Sequence, residues 1–302
     1  MKVLNFGSLN MDHVYSVAHI VMPGETITSN SFQMFCGGKG LNQSIAMSKA
    51  GIMVYHAGLV GEDGDQLLDS CLRNGINTEF IRKSNTRTGN AIIQVDENGQ
   101  NSIVLYPGAN RKITKTFVDE VLAYFERGDM IVLQNEVNEL PYIIDKAYEK
   151  GLKIVLNPSP YDNEIQKCDL KKVFYFFVNE VEGRQLTEKT EAGDILDEML
   201  NRYPNSAVIL TLGKEGSYYG DIKQRFCQRI FRVPVVDTTA AGDTFTGYFL
   251  STMLEGKPIQ QCLKCAALAS ALAVSRKGAA ESIPQADEVK AEEANMNMED
   301  TK

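Results

Sequence analysis

The chain has 302 residues, of which 43% are hydrophobic and 23% are charged, so it can bury a large core as one large α/β domain or two smaller ones. Its formal net charge of −8 at pH 7 argues against a nucleic-acid-binding surface. Because we find neither an N-terminal signal peptide nor an apolar run of about 18 residues, we expect a cytoplasmic protein without a membrane segment.

Short β-favouring runs alternate with helical patterns along the chain. This alternation predicts a largely parallel sheet that is covered by helices on both faces. The predicted strands are residues 3–6, 53–58, 130–133, 153–156, 174–178, 207–211 and 231–236. Helical patterns that end at a glycine span residues 42–50, 66–74 and 141–150, and a further one spans residues 244–254.

Two segments interrupt this alternation. Residues 14–36 and 90–106 have the pattern of antiparallel strands, and the second segment predicts a hairpin that turns near Glu97-Asn98-Gly99. Two interpretations fit them. The strands either extend one edge of the main sheet, or they form a small β-lid that excludes water from a bound substrate.

A glycine-rich stretch, Gly37-Gly38-Lys39-Gly40-Leu41-Asn42-Gln43, stands just before the first helical pattern. Glycines around a lysine indicate that the backbone comes close to a ligand, although a permissive loop has the same composition. The spacing is neither that of a Walker P-loop nor that of a dinucleotide-binding Gly-x-Gly-x-x-Gly motif.

A second stretch, Asp237-Thr238-Thr239-Ala240-Ala241-Gly242-Asp243, lies between a predicted strand and a predicted helix. Its small residues allow several backbone N–H groups to converge, and the start of a helix favours an anion there. Asp243 would lie at the edge of that anion. The alternative is that Asp or Thr is an ordinary N-cap of the helix.

The cysteines and histidines do not predict a metal site. The six cysteines (Cys36, Cys71, Cys168, Cys227, Cys262 and Cys265) are too dispersed for a disulfide framework. Cys262 and Cys265 lie in a helical run without a second ligand pair, so we interpret them as core residues. The three histidines, His13, His19 and His56, show no metal-like spacing.

The C-terminal segment is acidic. Residues 286–302 contain six acidic residues and two lysines, which is about half of the net charge of the chain. We expect a solvated tail that is helical near its start and disordered beyond it.

The two short motifs together resemble those of the ribokinase-like family of sugar and nucleoside kinases. The Gly-Ala-Gly-Asp turn of that family stands here as Ala240-Ala241-Gly242-Asp243, and Gly37–Gln43 is similar to the N-terminal signature of the ribokinases themselves. One departure is Tyr248, where many members carry a small residue. The resemblance extends over nearly the whole chain and implies a three-layer α/β sandwich, with one kinase domain at residues 1–285 and a small antiparallel β-lid at residues 14–36 and 90–106. The acidic segment at residues 286–302 would follow that domain as a tail.

The resemblance also implies the residues of the active site. Asp243 would be the catalytic base, in a turn formed with Ala240, Ala241 and Gly242. The sugar hydroxyls would be bound by Asn10, Asp12, Gly38, Lys39, Asn42 and Glu136 together with Asp243. Paired donors and acceptors are what such hydroxyls require.

The nucleotide would be bound by Asn179, Glu182, Thr211, Gly213, Gly216 and Gly242, with Glu182 holding Mg²⁺ through water. Without the resemblance, Asn179 to Glu182 is typical of a helix N-terminus, and residues 211–216 are typical of a hairpin turn. A monovalent cation, K⁺, would be enclosed by oxygen atoms of Asp237, Thr239, Ala273, Arg276, Gly278 and Ser282.

The activity that the resemblance implies is that of an ATP-dependent sugar kinase, which transfers the γ-phosphoryl group to a primary hydroxyl. D-ribose, giving ribose 5-phosphate, is the expected substrate. The alternatives are fructose, deoxyribose or a nucleoside such as adenosine, and a catalytically silent sugar-binding homologue. ATP, Mg²⁺ and K⁺ are the expected cofactors. Apolar residues on both faces of the lid strands, such as Ile92, Ile103 and Val104, further predict a homodimer that forms through the lid.

Overall fold

The computed structural model describes residues 1–299, which form a large sheet between two helical layers and a small second sheet. The strands are β1 (Val3–Phe6), β2 (Asn10–Ser16), β3 (Ser31–Gly37), β4 (Val54–Gly61), β5 (Asn77–Ser84), β6 (Gly89–Val95), β7 (Asn101–Tyr106), β8 (Met130–Gln134), β9 (Lys153–Asn157), β10 (Tyr175–Asn179), β11 (Ala207–Thr211), β12 (Ser217–Gly220) and β13 (Arg225–Gln228). The helices are α1 (Lys39–Lys49), α2 (Asp65–Arg73), α3 (Lys115–Ala123), α4 (Leu140–Lys150), α5 (Asn163–Gln166), α6 (Glu180–Thr187), α7 (Ala192–Arg202), α8 (Ala241–Leu254), α9 (Ile259–Val274) and α10 (Ala286–Glu299).

The large sheet has the strand order β13-β12-β11-β10-β9-β8-β1-β4-β5. Its strands pair in parallel, except that β12 and β13 add an antiparallel hairpin at one edge. Successive residues of β8 serve opposite faces: Ile131 and Leu133 join the core that contains α3 and α4, whereas Met130 and Val132 join the core that contains α1 and α8. The predicted three-layer α/β architecture is therefore confirmed.

The second sheet has the order β3-β2-β6-β7 and contains both segments that interrupted the sequence pattern. Each segment forms an antiparallel pair, β2 with β3 and β6 with β7, and the two pairs join in parallel through β2 and β6. β2 begins at Asn10, earlier than the predicted start at residue 14, so Asn10 and Asp12 belong to this lid sheet.

Two sequence expectations were wrong. Residues 231–236 do not form a strand, because the N–H groups of Val236 and Asp237 donate to the carbonyl of Val274 at the end of α9. The hairpin of β12 and β13, which we had not predicted, occupies the sheet edge instead. The acidic segment is helical from Ala286 to Glu299 rather than disordered beyond its start, and buried Val289 packs into the core. Asp300–Lys302 lie outside the described residues.

Other features of the fold bear on the class of protein. Within residues 1–299, no helix is long and apolar enough to cross a membrane. The six cysteines are free, and Cys262 and Cys265 lie in α9 as the sequence predicted. Tyr248 is buried, and its hydroxyl donates to the carbonyl of Pro284 at 2.7 Å, so this departure from the family pattern connects α8 to the segment before α10.

Candidate active site

Most of the predicted site residues lie at one edge of the large sheet. Parallel strands bring their carboxyl ends together, and ligands of such sheets bind there. Gln134, Asn179 and Thr211 end β8, β10 and β11 at this edge, and Glu136 follows β8. The first turns of α1 and α8 approach the same edge and carry Lys39, Asn42 and Asp243.

Asp243 is the third residue of α8 and does not cap it. The N-cap position belongs to Ala240, whose φ of 59° is left-handed, and we find no side-chain cap on α8 among the described residues. The carboxylate of Asp243 instead accepts hydrogen bonds from Gln43 Nε2 at 2.9 Å and from Asn42 Nδ2 at 3.3 Å. The ordinary N-cap interpretation of this aspartate is therefore wrong.

Gly242 lies beside open space. A Cβ atom built at this position would meet no other atom of the described chain within 4 Å, so packing does not require a glycine here. The N–H groups of Gly242 and Asp243 are in the first turn of α8, where a helix offers them no carbonyl partner. This turn can accept an anion that approaches the backbone closely.

Lys39 and Glu136 are partly buried next to Asp243, and the charge of each affects the pKa of the other. Glu136 Oε2 accepts hydrogen bonds from the Lys39 N–H at 3.0 Å and from the hydroxyl of Ser8. Burial raises the pKa of Glu136, although the charge of Lys39 opposes this rise. Burial alone would lower the pKa of Lys39, but the carboxylates of Asp243 and Glu136 leave that pKa above its ordinary value.

Asn10 and Asp12 approach the site from the lid. Asn10 is buried, and its Oδ1 accepts a hydrogen bond from Asn110 Nδ2 at 2.7 Å. Burial raises the pKa of Asp12 to about 7, and the carboxylates of Glu136 and Glu281 add to the rise. The Asp12 side chain lies over Gly37, where a Cβ would stand 2.0 Å from Asp12 Oδ2, so any larger residue at position 37 would displace this carboxylate.

The side-chain oxygen of Asn42 has no hydrogen-bond partner within residues 1–299. Asn42 is 5% exposed, and its Oδ1 accepts no hydrogen bond although its Nδ2 donates to Asp243. A buried acceptor without a donor costs about 1–3 kcal/mol, so a ligand that donates a hydrogen bond to this oxygen is favoured. A sugar hydroxyl is such a donor.

The predicted nucleotide residues have structural explanations in the protein itself. Asn179 and Glu182 form a capping box at the start of α6, in which both carboxylate oxygens of Glu182 accept from Asn179. Gly216 has a φ of 101°, and a Cβ there would lie 2.1 Å from the carbonyl oxygen of Gln228 in the edge hairpin. A Cβ at Gly213 would meet no described atom within 4 Å, but its φ of 53° is left-handed and favours glycine as well.

The residues predicted for the cation are only partly joined by contacts. Asp237 Oδ1 accepts from the N–H and the hydroxyl of Thr239, at 2.9 and 2.7 Å, and Asp237 Oδ2 accepts from the Gly278 N–H at 3.1 Å. The Ala273 carbonyl accepts from the Arg276 N–H. Ser282 donates instead to the carbonyl of Ala279.

The sequence analysis did not assign a role to Ser8, Gln43 or Gln134. Ser8 bonds Glu136, Gln43 bonds Asp243, and Gln134 bonds Gln43. Gln43 is part of the glycine-rich motif, so its position in that motif could have indicated a role at the site. Gln134 had no such signal beyond being a polar residue at the end of a buried strand.

Comparison with known proteins identifies relatives along almost the entire chain. The model of the pfkB family of carbohydrate kinases matches residues 1–286. The ribokinase of Haemophilus influenzae is 33% identical over 93% of this chain and 95% of its own length. The deoxyribokinase of Salmonella typhi is 30% identical over 95% of this chain and 97% of its own length. The structure of Arabidopsis thaliana ribokinase with ribose and ATP has a TM-score of 0.82 and 29% identity, and it covers 96% of this chain and 97% of its own.

Proposed function

The chain belongs to the pfkB family of carbohydrate kinases, and we propose that it is an ATP-dependent ribokinase, which converts D-ribose to ribose 5-phosphate. The observation that carries the proposal is the buried carboxylate of Asp243 beside the open turn at Gly242, in a chain that matches ribokinases over nearly its full length. A carboxylate next to an anion-binding turn is what phosphoryl transfer to an alcohol needs.

In the proposed reaction, the sugar lies between the lid and α1. Its hydroxyls are bound by Asn10, Asp12, Gly38, Lys39, Asn42 and Glu136. The primary hydroxyl points to Asp243, which takes its proton as the hydroxyl oxygen attacks the γ-phosphorus of ATP. The bond between that phosphorus and the β,γ-bridging oxygen breaks, and ADP leaves. The N–H groups of Gly242 and Asp243, in the turn that they form with Ala240 and Ala241, stabilise the charge on the phosphoryl group.

The nucleotide would lie along the carboxyl ends of β10 and β11, at Asn179, Thr211, Gly213 and Gly216. Mg²⁺ bound to the ATP phosphates would supply further charge stabilisation, and Glu182 would reach it through water. The described residues contain no group of three carboxylate, histidine or cysteine side chains that could hold a metal. The carboxylate of Glu182 is a hard oxygen ligand of the kind that Mg²⁺ prefers, and Mg²⁺ keeps most of its water and is bound mainly by phosphates.

We infer that K⁺ activates the enzyme through the segment around Asp237 and Gly278. Residues 1–285 would form the kinase domain, and use of ATP fits a cytoplasmic location. The exposed apolar side chains of the lid, which include Phe32, Met34, Ile103 and Val104, support a homodimer that covers them. Light scattering at micromolar concentration is expected to give twice the chain mass, and a monomer mass would contradict the dimer.

The alternative substrate is 2-deoxyribose, which the deoxyribokinase relative favours. ADP release measured with ribose, 2-deoxyribose, fructose and adenosine distinguishes the possibilities. We expect the highest kcat/KM with ribose, and a phosphorus NMR spectrum of a 5-phosphate product. A higher kcat/KM with another acceptor would overturn ribose as the substrate, and ADP release with none of them would indicate a silent homologue.

A further inference from the structure

Behind Asp243, a continuous chain of buried polar side chains runs through the centre of the fold. Gln43 Nε2 donates to Asp243 Oδ1 at 2.9 Å, and Gln134 Nε2 donates to Gln43 Oε1 at 2.6 Å. Gln134 Nε2 also donates to Asn5 Oδ1 at 3.0 Å, and Asn5 Nδ2 donates to Ser44 Oγ at 2.8 Å. All four of these side chains are 0% exposed, so water does not compete for their hydrogen bonds: Gln43, Gln134, Asn5 and Ser44.

The far end of the chain has a fixed hydrogen-bonding direction. His56 is fully buried, and burial lowers its pKa to about 4, so its ring is neutral at physiological pH and carries one N–H. Its Nε2 lies 3.3 Å from the carbonyl oxygen of Gly7, which can only accept. The proton is therefore on Nε2, and Nδ1 must accept from the hydroxyl of Ser44 at 2.8 Å.

This direction passes from residue to residue towards α8. Because the hydroxyl of Ser44 donates its hydrogen bond to His56, its oxygen accepts one from Asn5. The NH₂ group of Asn5 also donates to the Gly40 carbonyl at 2.6 Å. The side-chain oxygen of Asn5 therefore faces Gln134, and Gln134 must donate to it from its NH₂ group. Gln134 donates both protons, one to Asn5 and one to Gln43, so Gln43 presents its oxygen to Gln134 and its NH₂ group to Asp243.

An unpartnered atom supports this assignment. Gln134 Oε1 is buried and has no hydrogen-bond partner in the part of the chain that the structure describes. Rotating the amide would not help, because its oxygen would then face the two acceptor oxygens of Asn5 and Gln43. Leaving such an oxygen unpaired costs about 1–3 kcal/mol of folding stability. The protein is therefore less stable than it would be with this oxygen paired, but the direction of each hydrogen bond in the series is fixed.

We propose that Gln43, Gln134 and Asn5 are positioning residues, which hold the side chain of Asp243 with one oxygen anchored and the other directed to the substrate hydroxyl. Oδ1 of Asp243 accepts the hydrogen bond from Gln43 at 2.9 Å, whereas Oδ2 accepts, among residues 1–299, only the longer one from Asn42 at 3.3 Å. Oδ2 is thus the oxygen that can take a proton. The proposal rests on the role of Asp243 as the base in the proposed kinase reaction.

The test compares three variants with the wild-type enzyme. Gln43→Met keeps the approximate volume and removes the donor to Asp243. Gln43→Glu keeps the shape and can still accept from Gln134, but it places a second carboxyl group against Asp243, so the two must share a proton. The control is Asn135→Leu. Asn135 is the next residue after Gln134 and is equally buried. It donates two hydrogen bonds, to Pro160 and Asp162, and neither belongs to the series of polar side chains that connects Asp243 with His56.

The kinetic readout is the pH profile of kcat with ribose and ATP. Gln43→Met is expected to lower kcat about tenfold at neutral pH, to change the KM for ribose less than about threefold, and to move the acid limb of kcat up by about one pH unit, since a hydrogen bond to the charged form is lost. Gln43→Glu should move that limb further. Asn135→Leu should lower the melting temperature and leave the profile unchanged. A role in packing alone predicts the reverse order, because Glu resembles Gln in shape and Met does not.

Other charged groups also interact with Asp243, namely Lys39 from α1 and Glu136 after β8, but they are the same in all variants. A second readout does not need turnover. In protein labelled with ¹³C at aspartate Cγ, the Asp243 signal, assigned by its loss in Asp243→Asn, should titrate at a higher pH in Gln43→Met than in the wild type. Unchanged titration and an unchanged kcat profile in both Gln43 variants would overturn the positioning role. A wild type that phosphorylates no sugar would instead overturn the proposed function, and the NMR titration would still decide the inference.

Discussion

Replacing Asp243 with asparagine removes the proposed base while changing the local packing little. The new amide oxygen can keep the hydrogen bond from Gln43. Its NH₂ group would face Asn42, whose Oδ1 has no partner within the described chain and can turn to accept. The variant therefore loses the charge on one helix-terminal acceptor, which is worth about 1 kcal/mol of stability. For a protein of about 5–15 kcal/mol stability, nearly all molecules stay folded.

The activity should fall much further. A positioned base contributes about 10²–10⁴-fold, so kcat should decrease by that factor, which corresponds to roughly 3–5 kcal/mol in the activation free energy. Steady-state ADP release measures kcat, circular dichroism checks the fold, and calorimetry with a non-hydrolysable ATP analogue checks nucleotide binding. We expect the last two to match the wild type.

The chain offers a matched control. α7 begins with Ala192-Gly193-Asp194 and α8 begins with Ala241-Gly242-Asp243, so the same three residues occupy the same helical positions. Asp194 is exposed, so Asp194→Asn makes the same change in the field of a helix N-terminus without the contacts to α1. It should retain wild-type kcat. A kcat of Asp243→Asn within tenfold of that control would refute the assignment of the base.

Three further outcomes are expected. Gly242→Ala and Gly193→Ala should each leave stability unchanged or raise it by up to about 1 kcal/mol, because neither Cβ meets a described atom within 4 Å. Gly242→Ala alone should lower kcat/KM at least about tenfold. Equal kinetics of the two variants would show that no ligand approaches the turn. ADP release should rise when K⁺ replaces choline at constant ionic strength, and equal rates would mean that the segment around Asp237 is structural. The folded-state pKa of His56, about 4, lies below the unfolded value of 6.5, so its contribution to stability is complete above pH 6.5 and declines as the pH falls towards 4, by about 3 kcal/mol in total. Urea unfolding from pH 7 to 4 should show this slope in the wild type and a smaller one in His56→Gln, and parallel slopes would contradict it.

The same pair of helix starts shows what sequence can and cannot predict. Ala-Gly-Asp occurs at both α7 and α8, and local propensity predicts a helix N-terminus at each. What distinguishes Asp243 is its contact with Asn42 and Gln43, about 200 residues away in the chain. The family resemblance identified Asp243, because the surrounding motif carries information that helix propensity lacks.

The strands followed the same division. Hydrophobic runs that are buried on both faces, such as β1 and β11, were predicted with their observed bounds. Residues 231–236 have an equally β-favouring composition, but the end of α9 takes two of the backbone donors and the edge of the sheet is already filled by β13. Strand propensity is decided by such competition, which lies outside the segment itself.

Gln134 marks the limit for the site. Its neighbours in sequence suggest only the end of a buried strand, and its proposed positioning role depends on two amides that are far away in the chain, in Asn5 and Gln43. Glu182 marks the opposite case, because its capping box with Asn179 could be predicted from four residues.

The placement of Asn10 and Asp12 within β2 has a consequence for wasteful reactions. In the proposed function these two residues bind the sugar and belong to the lid sheet, so a bound sugar would favour a lid position that covers the site, and an acceptor that cannot reach them would not. Water is such an acceptor, since one molecule cannot span Asp12 and Asp243 together. We therefore expect the enzyme to hydrolyse ATP slowly in the absence of sugar, because water is too small to bring the lid residues and Asp243 together around it.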